Sequence, residues 1–559
     1  MELLERHFEI ALETPDGIKK LRELILSLAM QGKLIPQDPN DQPASELLKE
    51  IETEKKMMFQ EGKIKKQDPL LLIKPEQIPY ALPEGWEWCR LGDVITSIIG
   101  GGTPSKTNST YWNGNIPWAS VKDLNVNVFL EKTIDSISKL GLENSSTNII
   151  PENNIIVCTR MGLGKIVINK IEVAINQDLK ALILSKKIDQ MFFFRNYQNY
   201  DIKGKGVTVK GIRQDELINF LVPLPPLAEQ KRIVAKIDQL LALCDKLEIE
   251  RNERNQKRLT IHTAAINRIL SAPAPDKTKF YTSWEFISRN FEELYSIPQN
   301  VEELKKAILQ LAVMGKLVPQ DPNDQPASEL LKEIEAEKKR LIKEGKLKRQ
   351  QPLPPIKPAE IMYEVPKGWE WTQLNILGEI NPRNNLDDEI LAAFVPMPLI
   401  LAEYGKTHSF EVRKWSEIKT GYTHFSENDV VLAKITPCFE NGKSCVMKKL
   451  PNGVGAGTTE LHVFRNSSSK MCPEYILAYL KSPQFILNGI PKMTGSAGQK
   501  RVSKEYFACS PFPLPPLAEQ KRIVAKLDQL MELCNALEQQ IKNSVNKQTA
   551  LLNAVLAKI

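Results

Sequence analysis

The chain has 559 residues, too many for one hydrophobic core, so several domains are expected. Its 42% apolar and 26% charged residues are ordinary for a globular protein, and no apolar run is long enough to predict a membrane span. The net charge of +7 permits a nucleic-acid partner without demanding one, and the scattered cysteines lack a CxxC pair. With no secretory signal in the first residues, we expect a cytoplasmic protein with reduced thiols.

Residues 1–84 are predicted to form a helical head. Apolar residues recur on one helix face between Ile18 and Leu28, and Gly32 ends this helix. A second helix, rich in Glu and Lys, begins near Ser45. The charged run at 54–69 is interpreted as a solvated face and loop, with a docking surface for a partner as the alternative.

Residues 85–222 form a middle of different character. Bursts of β-branched residues, such as 154–160 and 180–185, alternate with turns rich in Gly, Asn and Pro. This pattern predicts short strands with a few helices, in a compact α/β or α+β domain.

Residues 223–272 form a tail that is predicted to be one long helix, starting just after Pro225 and Pro226. Apolar residues recur at steps of three and four, the a/d pattern of helices that pack lengthwise. A helix of 45 residues would span roughly 65–70 Å. Two interpretations remain: the tail packs on its own domain, or it pairs with a second tail.

The same organisation occurs twice in the chain. Residues 32–56 return at 315–339 with two differences, and residues 223–240 return at 513–530 with one. The second copy comprises a linker and head at 273–367, a middle at 368–512 and a tail at 513–559. Each copy thus has a shared head and a shared tail, whereas the two middles differ. The residues predicted to pair the tails are Ile233, Ile237, Leu240, Leu247, Ile523, Leu527, Leu530 and Leu537.

Catalytic signatures are missing from the sequence. It contains no GxxxxGK[ST], HExxH or GxSxG, and no Asp/Asn-Pro-Pro-aromatic tetrapeptide. The five histidines show no ligand spacing. We therefore predict no catalytic residue and no metal site in this chain.

Clusters suited to DNA contact lie in both middles. The loop at 100–118 combines glycines, hydroxyls and aromatics, and a glycine-rich β-turn is its alternative explanation. Basic loops at 203–213 and 494–506 hold equivalent positions ahead of the tails, and surface loops that only solubilise the domain are the alternative. The predicted DNA-binding residues are Thr103, Ser105, Lys106, Tyr111, Trp112, Lys122, Arg160, Lys165, Lys203, Lys205, Lys210, Arg213, Asn381, Arg383, Asn384, Lys434, Lys443, Lys500 and Arg501.

The doubled stretch PLPPLAEQKRIVAKIDQL, behind a middle that opens GWEWCRLGDVITSIIGGGTPS, resembles the specificity subunits of type I restriction-modification systems. The resemblance covers essentially the whole chain, including IPWASVKDL (116–124) and KITPCFENGK (434–443). It implies two globular target-recognition domains separated by long antiparallel helices, a coiled-coil-like scaffold with pseudo-two-fold internal symmetry. Because such a frame offers the same face to two identical partners, its shared surface must occur twice.

The resemblance also implies partners and cofactors. Each domain would read one half of a split, asymmetric sequence in double-stranded DNA, and the helices would set the unread spacer. Two modification subunits would bring S-adenosylmethionine and methylate adenine, and restriction subunits would add ATP- and Mg-dependent cleavage. The chain itself would bind no cofactor.

Two other functions remain open at this point. A protein-binding helical scaffold with two adaptor domains would explain the repeat without DNA contact. A methyltransferase fused to its reader is disfavoured because its motifs are missing and because two readers with their helices consume the chain.

Overall fold

The computed structural model describes residues 14–65, 69–200, 202–204, 211–271, 277–345, 347, 355–405, 408–496 and 498–556. They divide into two compact units. Unit 1 takes the described residues up to Arg251 together with those from Val545 onward, and unit 2 comprises Asn252–Ser544.

Unit 1 begins with two head helices, continues into a mixed domain and ends in a tail helix. Its helices are α1 (Gly17–Met30), α2 (Ala44–Gln60), α3 (Leu91–Val94), α4 (Lys139–Glu143), α5 (Gln190–Gln198), α6 (Gln214–Ile218) and the first part of α7 (Leu227–Ser271). Its strands are β1 (Glu87–Arg90), β2 (Ile95–Gly100), β3 (Trp112–Ala119), β4 (Phe129–Leu130), β5 (Asp135–Ile137), β6 (Ile149–Ile150), β7 (Ile155–Cys158), β8 (Ile166–Asn169), β9 (Val173–Ile175), β10 (Leu179–Leu184) and β11 (Leu221–Leu224).

Unit 2 follows a similar order after the two additional helices that come directly after α7. Its helices are the last part of α7, then α8 (Lys277–Arg289), α9 (Phe291–Leu294), α10 (Pro298–Val313), α11 (Ala327–Lys343), α12 (Leu374–Leu377), α13 (Trp415–Ile418), α14 (Pro473–Leu480), α15 (Pro483–Gly489), α16 (Lys504–Cys509) and most of α17 (Leu517–Leu556). Its strands are β12 (Glu370–Thr372), β13 (Gly378–Ile380), β14 (Leu391–Val395), β15 (Glu411–Lys414), β16 (Thr423–Ser426), β17 (Val430–Ala433), β18 (Ser444–Val446), β19 (Val454–Gly457), β20 (Leu461–Asn466) and β21 (Phe512–Leu514).

The two divergent middles have the same strand order. In unit 1 the larger sheet runs β2-β10-β7-β8-β4 and the smaller one β5-β3-β9-β6. In unit 2 the corresponding orders are β13-β20-β17-β18 and β15-β14-β19-β16. The central pair of the smaller sheet, β3 with β9 or β14 with β19, is parallel in both units. The short strand β4 at the edge of the larger sheet has no counterpart among the described strands of unit 2.

Most of the predicted local elements are confirmed. α1 covers the predicted apolar face and α2 begins at Ala44, next to the predicted start. α7 begins at Leu227, directly after the two prolines, and runs for 45 residues. The bursts at 154–160 and 180–185 contain β7 and β10.

A glycine ends the first helix of each head for a steric reason. Gly32 has φ +68°, and a Cβ there would lie 2.3 Å from Cγ of Pro83. Gly315 has the same φ and would meet Pro366 at the same distance. Since only glycine avoids this clash, both heads keep it.

The apolar seam of each tail packs on the head of the same copy. Ile233 and Ile237 are fully buried in one core with Ile18, Leu21 and Leu28 of α1, and Leu240 and Leu247 pack at its margin. Ile523 and Leu527 occupy the same place in the core of unit 2, with Leu530 and Leu537 at its margin. Packing of the tail on its own domain therefore accounts for the burial of the seam, and pairing of the two tails through it stays a prediction.

The last tail ends beside the first head, as the repeat implies. Lys20 Nζ in α1 donates to Asn553 Oδ1 near the end of α17 (2.6 Å), and Leu552 is buried within unit 1.

A network of buried contacts, which we call the latch, holds the start of each tail. In unit 1, Trp86 Nε1 donates to Glu229 Oε2 (2.9 Å) and Gln37 Nε2 donates to the other carboxylate oxygen (3.3 Å). Two nitrogens of Arg232 donate to the carboxylate of Asp41 (3.2 and 2.6 Å). Glu229 is 1% exposed, so desolvation raises the pKa of its carboxyl while the Trp86 hydrogen bond lowers it.

Gln230 connects this latch to the middle. Its Nε2 donates to Pro225 O (3.0 Å), and its Oε1 accepts from the backbone N–H of Asp189 at the start of α5 (2.8 Å). The latch of unit 2 repeats every contact through Trp369, Gln320, Glu519, Arg522, Asp324, Gln520, Pro515 and Cys472. The doubled stretch is thus repeated because each unit needs the same buried network.

Candidate nucleic-acid interface

Two loops of unit 1 lie side by side at one end of the larger sheet. They are the β7–β8 connection (159–165) and the loop ahead of the tail, described at 202–204 and 211–213. Arg160 and Gly211 form an antiparallel bridge, and the backbone N–H of Ile212 donates to Thr159 O (3.0 Å). We call these two segments the first loop pair.

Unit 2 has an equivalent second loop pair, formed by the β17–β18 connection (434–443) and residues 494–496 and 498–503. Here Ile435 and Arg501 form the bridge, and the backbone N–H of Thr436 donates to Lys500 O (2.9 Å). The prediction that the basic loops hold equivalent positions is thereby confirmed for the described residues.

The basic side chains of unit 1 differ in their exposure and in the contacts that hold them. Lys165 Nζ donates to Asn125 Oδ1 (2.6 Å), which ties it to the neighbouring loop. Arg160 is 51% exposed, with its Nε 3.8 Å from Asp178 Oδ1. Lys122 and Lys203 are exposed. Arg160 and Lys122 could thus turn charge toward a phosphate more readily than Lys165.

Three further predicted residues lie in the sequence 205–213. Arg213 is exposed, with its guanidinium 3.5 Å from Asp215, so its charge is partly offset. Lys205 and Lys210 lie outside the described residues.

The glycine-rich stretch at 100–118 is a packed turn with an open tip only as far as Tyr111, because β3 begins at Trp112. A Cβ on Gly101 would lie 2.1 Å from Ile175 O, so close backbone approach explains that glycine. Trp112 donates to Ser105 O (3.1 Å) and packs edge-on against Trp118, and Thr103 hydrogen-bonds Gln177. Tyr111 and Trp112 are only half-exposed, which leaves Ser105 and Lys106 as the exposed tip.

Hydrogen bonds or partial burial restrict most of the basic side chains of the second loop pair. Arg501 makes two hydrogen bonds to the carboxylate of Glu460 (2.9 and 2.8 Å), and these hold the pKa of Glu460 below its ordinary value. Lys443 Nζ donates to Met397 O (3.3 Å), and Lys434 is half-buried. Lys500 is exposed beside them, so it presents the most accessible charge of the four.

The NPRNN segment is built into the sheet of unit 2. The backbone N–H of Asn381 donates to Val463 O and its Oδ1 accepts from Val463 N (both 2.8 Å). Asn384 Nδ2 donates to Phe425 O (2.9 Å), and Arg383 Nη1 donates to Tyr422 O (3.0 Å). These contacts give the three residues a structural task, and their DNA contact stays a prediction.

The buried histidine next to this segment adds no positive charge. Burial lowers the pKa of His462 to about 4, so the ring is neutral at pH 7. Its Nε2 lies 3.1 Å from Val502 O and must donate there, which leaves Nδ1 to accept from Asn381 Nδ2 (3.4 Å).

The model of one protein family matches both copies. The type I restriction modification DNA specificity domain matches residues 83–256 and again 366–547. The chain belongs to this family. Each match covers one middle and most of its tail helix, so the family domain occurs once in each copy of the sequence repeat.

Individual relatives carry the same description. The specificity subunits of the type I restriction enzymes EcoAI and EcoEI, both from Escherichia coli, are 52% identical over 257 and 258 residues. Each match covers 46% of this chain, and it covers 44% and 43% of the relatives, so the chain spans less than half of their length. A solved chain from a type I R-M system covers 86% of this chain at 18% identity, with a TM-score of 0.48.

Two absences concern only the residues that the structure describes. No described helix is long and apolar enough to cross a membrane. Within the same ranges, no cluster of three or more His, Cys, Asp or Glu side chains is arranged to hold a metal ion.

Sequence reasoning missed the acidic and polar partners that hold the basic residues. Glu460 lies 41 positions before Arg501, and Asn125 lies 40 positions before Lys165. No local pattern connects such pairs. The only available signal was the equivalence of the two copies, which located the loops but not their partners.

Proposed function

We propose that the chain is the DNA sequence-specificity subunit of a type I restriction-modification complex. The middle of each unit reads one half of a bipartite, asymmetric target. The observation that carries the proposal is that two units with the same strand order and the same latch carry unlike side chains on equivalent loop pairs. Two readers on matching frames need this combination, because the frame repeats while the bases differ.

Local charge must supply the affinity, since the excess over the whole chain is small. Arg160, Lys122 and Lys203 in unit 1, and Lys500 in unit 2, are exposed and placed on or near the loop pairs. They are suited to phosphates, whose contacts fix the register of a reader on the duplex. Discrimination between bases then falls to the side chains at the loop tips.

The partners follow from surface that packing does not explain. Lys231, Asp38, Asn40, Gln42 and Glu46 are exposed. Their counterparts Lys521, Asp321, Asn323, Gln325 and Glu329 are identical and also exposed. No buried hydrogen-bond network of the described residues requires these five residues to be the same in both units. The repeated exposed surface therefore suits docking of two identical modification subunits.

The remaining parts of the complex are assigned to those partners. The modification subunits bring S-adenosylmethionine, and restriction subunits bring ATP- and Mg-dependent cleavage. This chain is non-catalytic, acts in the cytoplasm, and its long helices set the spacer between the half-sites in double-stranded DNA.

Methylome mapping with this chain and its modification partner tests the proposal. We expect methylated adenines in a split motif with an unread spacer of fixed length. Exchange of residues 85–222 for the middle of another family member should change one half of the motif and leave the other intact. A continuous motif would contradict the bipartite reading, and no methylation together with no salt-dependent retention on DNA would favour the protein-binding scaffold.

A further inference from the structure

Met161, at the tip of the β7–β8 connection, has an unusual backbone conformation. Its φ is +59°, in the left-handed region that costs a side chain roughly 1–2 kcal/mol. Seven non-glycine residues in the described part have positive φ, and five of them are asparagines, which tolerate this region. Methionine has no such tolerance, and the next residue is a glycine.

The surrounding structure fixes this backbone. The Cys158 thiol lies 2.7 Å from Arg160 O, and the backbone N–H of Lys165 donates to Gly162 O (3.1 Å). A Cβ on Gly162 would lie 2.7 Å from Cγ1 of Val121, so the connection packs closely on the neighbouring loop. With the Arg160–Gly211 bridge, the tip is held from three sides, as a base-reading element requires.

The side chain that this backbone presents is open to solvent. Met161 is 71% exposed, and Arg160 beside it offers positive charge. An apolar, exposed side chain on a strained and closely packed tip contributes nothing visible to the fold. Backbone strain that persists at an exposed loop tip indicates a functional role.

Unit 2 offers a contrast in the corresponding connection. The β17–β18 connection buries Phe439 completely and exposes Glu440 and Asn441. The two connections thus expose different chemistry, apolar at Met161 in unit 1 and hydrogen-bonding at Glu440 and Asn441 in unit 2.

We propose that Met161 contacts the C5 methyl group of one thymine in the half-site that unit 1 reads. The inference rests on the proposed function. A thioether side chain has only a weak acceptor, so it discriminates by apolar contact. In the major groove the apolar group on a base edge is the thymine methyl.

Duplexes with single deoxyuridines test this contact, since deoxyuridine lacks only that methyl group. The full chain with its modification subunits is titrated with the mapped target, in which each thymine of the first half-site is replaced in turn. One replacement should weaken binding about fivefold to tenfold, and replacements in the second half-site should not. Met161→Asn and Met161→Gly should bind thymine and deoxyuridine equally at that position.

Two controls separate this role from a structural one. Met161→Gly should raise the thermal midpoint or leave it unchanged, because glycine accepts φ +59°, so lost discrimination would not reflect unfolding. Met57→Ala removes another exposed methionine, on α2, and should keep the deoxyuridine effect.

The possible results separate a failure of the Met161 contact from a failure of the proposed function. A split motif whose first half lacks thymine, or shows no deoxyuridine effect, overturns the role of Met161 alone. Equal loss of affinity for all sequences in the Met161 variants would do the same, and would indicate a wedge or phosphate contact. Absence of any split motif would instead overturn the proposed function.

Discussion

The two latches share their residues and their contacts, whereas the two loop pairs share only their backbone bridge. Trp86 and Trp369 each donate to a buried glutamate over 2.9 Å, and the two arginine–aspartate pairs have identical distances. In the loop pairs, by contrast, Arg160 bridges Gly211, whereas Ile435 bridges Arg501, which Glu460 holds.

The difference shows which parts of the chain are constrained by its own packing. A buried hydrogen-bond network tolerates little change, because each lost partner leaves a buried polar group unsatisfied. An exposed loop on a fixed strand order can change its side chains without unfolding the sheet. The two middles therefore share their strand order although their sequences differ.

The largest expected effect comes from placing a charge in the seam. Ile237→Asp and Leu527→Asp should each destabilise their own unit by about 4–5 kcal/mol, since both side chains are fully buried. Hydrogen exchange of α1 and α10 measures the two units separately. The exposed neighbours Gln239→Asp and Gln529→Asp should change stability by less than about 0.5 kcal/mol. Unchanged protection of α1 in Ile237→Asp would show that the seam does not hold the head.

The latches should respond equally to the same change. Gln230→Met and Gln520→Met each leave a buried carbonyl and a buried N–H without their partner, which costs about 2–3 kcal/mol. Denaturant unfolding, followed by exchange at α5 and α14, provides the measurement. A clear inequality between the two variants would contradict the equivalence of the latches.

The sequence predicted the helices that the two units share better than it predicted the loops. The spacing of apolar residues gave α1 and α7 because a helix repeats every 3.6 residues, and the doubled stretches located the same elements in unit 2. The strands β7 and β10 were also predicted. The pairing of β3 with β9 was not, since it joins segments more than fifty residues apart that have no complementary pattern.

The candidate site was predicted in position but not in detail. Equivalent basic loops were found from the repeat alone. Asn381 and Asn384, predicted to contact DNA, are engaged in holding strands, which a sequence without contacts cannot show. Glu229 likewise carries no local sign that it meets Trp86, 143 positions away.

A smaller effect should separate the units by pH. Lys481 is buried and donates to Ala402 O (2.6 Å) and Gly442 O (2.9 Å), and burial lowers its pKa to about 8. The unfolded chain therefore binds this proton more tightly than the folded one, so stability rises as pH increases from about 8 toward 10.5. Between pH 7 and 9, unit 2 should gain about 1 kcal/mol.

Comparison with the Lys481→Met variant separates the pH-dependent stability due to Lys481 from the titration of other lysines. The variant should lose the pH-dependent gain in unit 2, and unit 1 should show the same pH dependence in both proteins. A gain that persists in the variant would assign it to another group. The measurement is denaturant unfolding at pH 7 and 9 with exchange at α14 as the unit 2 probe.

The smallest effect concerns the charges of the second loop pair. Lys500→Ala should weaken binding to the second half-site by about threefold and reduce the slope of log affinity against log salt by about 0.9, as expected for one lost phosphate contact. Arg501→Ala should change the slope less, because Glu460 already offsets that charge. Titrations of half-site duplexes at several salt concentrations give both slopes. Equal slope changes for the two variants would mean that Glu460 releases Arg501 when DNA binds, and equal loss at both half-sites would show that the loop pair does not belong to one reader.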